Sequence, residues 1–222
     1  MASSFFNPRG TATRFLTGIC NLIIVNLLFI LTCIPIFTIG ASITALYRIT
    51  IAILSGDNPA IFRDYFKCFR DNFFKATVLE LIYVVLSGFF LFEVYMVNNM
   101  MSQEFYWVQY IPYFFLIMIF ATTFYSFPLL AWFDESFKQL LKNSVLLAIT
   151  NIPITIMYET LTVGLAWLVY QFPSTTLSIL IFMGFSVIAT FYSLFLKRIF
   201  KRLGADITFK DKEGESGIDV DK

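Results

Sequence analysis

The chain has 222 residues, of which 58% are hydrophobic and only 14% charged, with a mean hydropathy of +0.76. A soluble domain of this size would not have enough polar surface to cover so apolar an interior, so the composition excludes one. The net charge of +1, with the basic residues other than Arg48 beside the apolar runs, does not suit a nucleic-acid partner. The absence of histidine removes histidine-ligated metals and haem and a histidine base.

Taken in order, the apolar runs are Phe15–Phe37, Thr38–Leu54, Ala76–Val97, Trp107–Trp132, Val145–Tyr170 and Thr175–Leu196. All but Thr38–Leu54 are about 20 residues or longer, enough to cross a hydrocarbon core roughly 30 Å thick. The first run follows Arg9 and Arg14 and is followed by no small-x-small cleavage pattern, so it reads as a retained span rather than a signal peptide. Pro35 near its end, with Thr38 and Gly40, predicts a tight turn into the second run. That second run is short and contains Arg48, so it is either a true short span or a re-entrant segment. Ser55–Pro59, reading SGDNP, predicts a helix stop. Tyr106, Trp107, Tyr110 and Tyr113 form an interfacial belt or, less commonly in such chains, a sugar-stacking platform. Gln171–Ser174 predicts a tight hairpin between the last two spans.

All the cations but Arg48 lie in four segments. These are the N-terminus; Arg63 to Lys75; Lys138 and Lys142; and the stretch from Lys197 to the end. With six spans, every cation except Arg48 falls on one side, and the positive-inside rule then puts both termini in the cytoplasm of a cell whose plasma membrane holds the protein. The expected fold is all-α: a polytopic membrane bundle of about six transmembrane helices, one domain over residues 1–203, with a polar cytoplasmic tail at 204–222. That tail is too poor in apolar residues to fold alone. Its immediate partner is the lipid bilayer.

Two inner segments share a pattern. Phe66-Lys67-x-Phe69-x-x-Asn72 precedes the third span, and Phe137-Lys138-x-Leu140-x-x-Asn143 precedes the fifth. Each predicts a short amphipathic helix on the cytoplasmic surface. Either the two halves are an internal repeat or any surface helix ahead of a span looks this way.

Charged groups inside spans are costly and therefore candidates for function. Arg48 and Glu80 are expected in the inner half, as an ion pair or each snorkelling to the interface. Glu93 and Glu159 are expected in the outer half, either as a proton or sodium relay or facing an outer vestibule or another subunit. Pro35, Thr38, Gly40 and Ser42 form a candidate helix-packing corner, with Thr38 capping the second span. Asn21, Asn26, Asn98, Asn99 and Asn151 are suited to hydrogen bonds between helices. Cys20 and Cys33 lie in the first run and Cys68 in a basic segment, which does not make a disulfide framework. No phosphate-binding GxxxxGK[ST] loop, GxGxxG fingerprint or GxSxG elbow occurs, and no cofactor or enzymatic activity is expected.

The stretch from Asn26 to Tyr47, with PIFTIGAS at Pro35–Ser42, resembles the opening signature of the YesL-like family of small bacterial membrane proteins. The likeness continues through Tyr65-Phe66-Lys67-x-Phe69-x-x-Asn72-Phe73 and Phe127-Pro128-Leu129-Leu130-Ala131 to Leu141-Lys142-Asn143. Trp132-Phe133 departs from it, standing where the family's pattern has a basic residue. The resemblance implies an inner-membrane protein of otherwise undefined activity, an accessory role in carbohydrate uptake beside the permease subunits of an ABC importer, and no established catalytic residue. The competing reading is a small secondary transporter or channel that uses the intramembrane carboxylates.

Overall fold

The computed structural model describes residues 11–57, 59–100 and 107–202, which form helices and short connections with no strand among them. The helices are α1 (Thr11–Thr32), α2 (Ile39–Ser55), α3 (Ile61–Met100), α4 (Tyr110–Trp132), α5 (Phe137–Thr150), α6 (Ile152–Gln171), α7 (Pro173–Ile179) and α8 (Phe185–Arg202). A 3₁₀ turn, Ile36–Thr38, leads into α2, and a π turn, Leu180–Gly184, joins α7 to α8. The expected all-α bundle is what the chain forms. The C-terminal tail, Arg9 and Tyr106 lie outside the described residues.

The breaks fall where the backbone chemistry demands them. Pro35 has no N–H to donate, and α1 has ended by Thr32, before the apolar run is exhausted. Gly56 takes φ 85°, ending α2 in a left-handed cap that returns N–H groups to Ala52 and Ile53. Phe172 and Pro173 turn the chain between α6 and α7.

Two expectations need correction. The segment ahead of the third span is not a separate surface helix but the first part of α3, 40 residues without interruption. Nothing between Phe66 and Val78 is Gly or Pro, so no residue there stops the helix. The counterpart ahead of the fifth span is a helix of its own, α5. Its buried residues Leu140, Ser144, Leu147 and Ala148 share one face, and it packs along α4. The fifth span, expected at Val145–Tyr170, therefore begins only at Ile152, because Asn151 leaves helical geometry and Pro153 sits in the first turn of α6. The two segments thus fold differently despite their shared pattern.

Among the described residues, five helices are long and apolar enough to cross a membrane: Ile36–Ser55, Ile61–Asn99, Trp107–Trp132, Ile152–Gln171 and Pro173–Arg202. The shorter apolar part of α1 is Leu16–Thr32. α2 runs unbroken, so Thr38–Leu54 does not double back as a re-entrant segment. It is also the central helix, with α1, α3, α4 and α8 packed around it and eleven of its residues buried, from Gly40 to Ala52. The spanning parts of α3 and α6 lie at the periphery with most of their apolar side chains exposed, as lipid-facing helices should.

Register follows from pairs of contacts. Lys75–Asp134, Tyr83–Ser126 and Phe90–Phe115 set α3 antiparallel to α4. Tyr125–Thr155 and Phe120–Tyr158 set α4 antiparallel to α6. The charged starts of α3 and α5, the end of α4 with Asp134 and Glu135 just beyond it, and the basic end of α8 therefore gather at one end of the bundle. Exposed Trp107, Tyr110, Trp167 and Tyr170 gather at the other, where they form an aromatic belt.

Candidate functional site: the corner that holds the central helix

The turn between α1 and α2 is tied together by its own side chains. Thr38 precedes α2 but makes no side-chain cap. Instead its hydroxyl points back, its proton shared between the carbonyls of Thr32 and Pro35. The Ser42 hydroxyl donates to Thr38 O at 2.9 Å. Thr32 Oγ1 lies 2.8 Å from the hydroxyl of fully buried Tyr65 on α3, which bridges the turn to the third helix. Thr77 donates to Phe37 O at 3.2 Å.

The cap expected from Thr38 comes from Glu80. Its Oε2 accepts the Gly40 N–H at 2.9 Å, satisfying one of the free N–H groups in the first turn of α2. A carboxylate here also faces the positive end of the helix dipole. The approach is close enough to require glycine. A Cβ on Gly40 would lie 2.7 Å from Phe127 Cε1 and 2.9 Å from Ala76 O. Gly40 therefore serves close packing rather than a turn. Pro35, Thr38, Gly40 and Ser42 do assemble into one corner.

Arg48 and Glu80 do not pair. Two turns further along α2, the Arg48 guanidinium donates to Ala131 O at 3.2 Å and lies over the Trp132 ring, 4.0 Å from its centroid. It thus meets the negative end of the α4 dipole and a cation–π partner together. At the opposite end of α2, Lys197 of α8 donates to Leu54 O at 3.0 Å. An acid from α3 and a base from α8 bracket the central helix, each at the end where its charge is favoured.

The two remaining carboxylates are not brought together. Glu159 lines a cavity with Ser87, Leu116, Ile117, Ile119, Phe120, Thr123 and Val163, and Glu93 is not part of that lining. Glu93 is six residues beyond Ser87 on α3, roughly 9 Å of helical rise. Because α6 starts at Ile152, Glu159 also falls in the half of α6 adjoining α5 rather than the outer half expected for it.

Asn26 ties α1 to the π turn and the start of α8. Fully buried, it donates from Nδ2 to Leu180 O at 3.0 Å and Ile181 O at 2.7 Å, and accepts from Ser186 N at 3.0 Å. These backbone groups lie in and just beyond the π turn, where the regular α-helical bonding pattern is interrupted. Asn99 and Asn151, by contrast, bond within their own helix or its immediate turn. Sequence reasoning missed Lys197 as a helix cap, since it reads as one more basic flank.

No curated protein and no solved structure matches the chain significantly. A family model does match residues 22–94, which run from α1 through the pinned corner to most of α3 and include Asn26, Arg48, Glu80 and Glu93. Over that stretch, about a third of the chain, the sequence matches the family described as "Protein of unknown function, DUF624", to which the YesL-like proteins belong.

Proposed function

We propose that this membrane protein is an accessory subunit of an ABC-type carbohydrate uptake system, docking against the importer's permease subunits. It would lie in the plasma membrane with its cation-bearing end in the cytoplasm. The observation that carries the docking role is the length of α3. Forty residues at about 1.5 Å each make a helix of about 60 Å, twice the thickness of a hydrocarbon core. Its first part exposes Phe62, Phe66 and Phe74 beside Arg70, Asp71 and Lys75. Aromatic side chains beside arginine are what protein interfaces favour. The resemblance to the YesL-like family supplies the class of partner.

A core filled by Tyr65, Phe124, Tyr125, Tyr192 and Phe200 supports a docking role over a single-chain permeation path. The test is affinity purification from native membranes followed by mass spectrometry, with the parent chain and a Phe66→Ala/Phe74→Ala variant. Permease subunits of a carbohydrate importer should accompany the parent and be depleted with the variant. Recovery of no such subunit, or equal recovery with both forms, refutes the reading. Reporter fusions at Lys222 and within Gln103–Tyr106 should report opposite sides of the membrane.

A further inference from the structure

The cavity at Glu159 has three properties that together specify a ligand. It measures about 330 Å³ and is walled mainly by apolar side chains of α4 and by Val163 of α6, with Ser87 as the contribution of α3. It opens sideways, because Ile117 and Val163 in its lining are 54% and 67% exposed on the peripheral face of the bundle. A molecule therefore reaches it from the bilayer rather than from either aqueous side.

Its polar groups offer acceptor oxygens. Glu159 Oε1 is buried and has no hydrogen-bond partner among the described residues. Thr123 commits its hydroxyl proton to Ile119 O at 2.8 Å, which leaves its oxygen free to accept. Ser87 adds a second hydroxyl to the lining. A carboxylate and two hydroxyl oxygens around one apolar cavity match the three N–H bonds of a primary ammonium. The uncompensated buried oxygen is costly in an apolar medium, and a cation would relieve that cost. Phe120, stacked on Tyr158 at 5.7 Å, adds an aromatic wall beside the charge.

We propose that this cavity binds a lipophilic primary amine that enters from the membrane, with its ammonium on Glu159, Thr123 and Ser87 and its apolar body against Leu116, Ile119 and Phe120. The proposal is independent of any importer partner. Its test uses the full chain in phosphatidylcholine nanodiscs, titrated calorimetrically with 1-adamantylammonium and with the neutral 1-adamantanol. The parent should bind the amine about tenfold more tightly than the alcohol, the factor expected of one charge-assisted hydrogen-bond set. Glu159→Gln should abolish that preference, and Val163→Phe, which narrows the mouth, should weaken both probes. Equal binding of amine and alcohol to the parent, or a preference that survives Glu159→Gln, overturns the proposal. If Glu159→Gln does not yield folded protein, Val163→Phe decides: unchanged amine binding overturns the proposal, and weakened binding upholds it.

Discussion

Replacing Gly40 by alanine tests the pinned corner with a single methyl group. The added carbon would sit 2.9 Å from Ala76 O, a main-chain atom of α3, and 2.7 Å from a ring carbon of buried Phe127. The ring is buried and the carbonyl belongs to a continuous helix, so α2 and α3 must part by a few tenths of an ångström. Overpacking of this kind costs about 1–3 kcal/mol. The same movement stretches the 2.9 Å bond from Gly40 to Glu80, adding part of the roughly 1.5–3 kcal/mol carried by hydrogen bonds to charged groups. The helix preference of alanine over glycine returns about 1 kcal/mol. A net loss of about 2 kcal/mol should lower the melting temperature by about 4–8 °C in a protein of this size. The assay is thermal unfolding of purified protein in one detergent. Gly88→Ala and Gly164→Ala serve as controls, since a Cβ at either meets nothing within 4 Å. Those controls should match or exceed the parent, and Gly40→Leu should fall below Gly40→Ala. If Gly40→Ala melts with the two controls, the close approach described at this corner is wrong.

Three more perturbations follow from the bonds around α2. Glu80→Gln keeps an acceptor for Gly40 and should melt above Glu80→Leu, which leaves the buried N–H unmet at a cost of about 1–3 kcal/mol; equal melting would remove the capping role. Lys197→Met should destabilise by about 0.5–1 kcal/mol and speed amide exchange in the last turn of α2, and exchange unchanged at Gly56 and Asp57 would refute it. Asn26→Leu should lower the melting temperature and expose the Ser186 amide to exchange, because that amide loses its 3.0 Å acceptor; protection equal to the parent's would show that the π turn needs no clamp.

The apolar spans were legible because hydrocarbon thickness sets a length that a sequence either meets or does not. The stop at Gly56 and the turn at Pro35 were legible because each depends on one residue's backbone. Where the sequence reading went astray, the missing quantity was direction. Counting along helices placed Arg48 and Glu80 at similar depth, but depth does not say which neighbour a side chain faces, and both turned to backbone groups near helix ends instead of to each other. The surface-helix pattern before the third span was correctly amphipathic, yet amphipathicity does not mark where a helix stops, and no breaker stood between it and the span. Glu159 was misplaced because hydropathy does not register the break at Asn151, where Ile152 and Pro153 are as apolar as the residues around them.

The enclosure of α2 has a consequence for how the protein is made. One of its four walls, α8, is encoded far downstream: Thr50 and its hydroxyl partner Ser193, at 3.0 Å, are 143 residues apart. At a synthesis rate of about 5–20 residues per second, α2 waits roughly 7–30 s for that wall. During this interval Leu54 lacks Lys197, and the side of α2 that α8 will cover is open to lipid or to the insertion machinery. The Glu80–Gly40 bond closes much earlier, only 40 residues apart in sequence. The first three helices can therefore hold the central helix in place as a nascent assembly, and a ribosome that stalls before Phe185 leaves an unsealed core of the kind that membrane quality control removes.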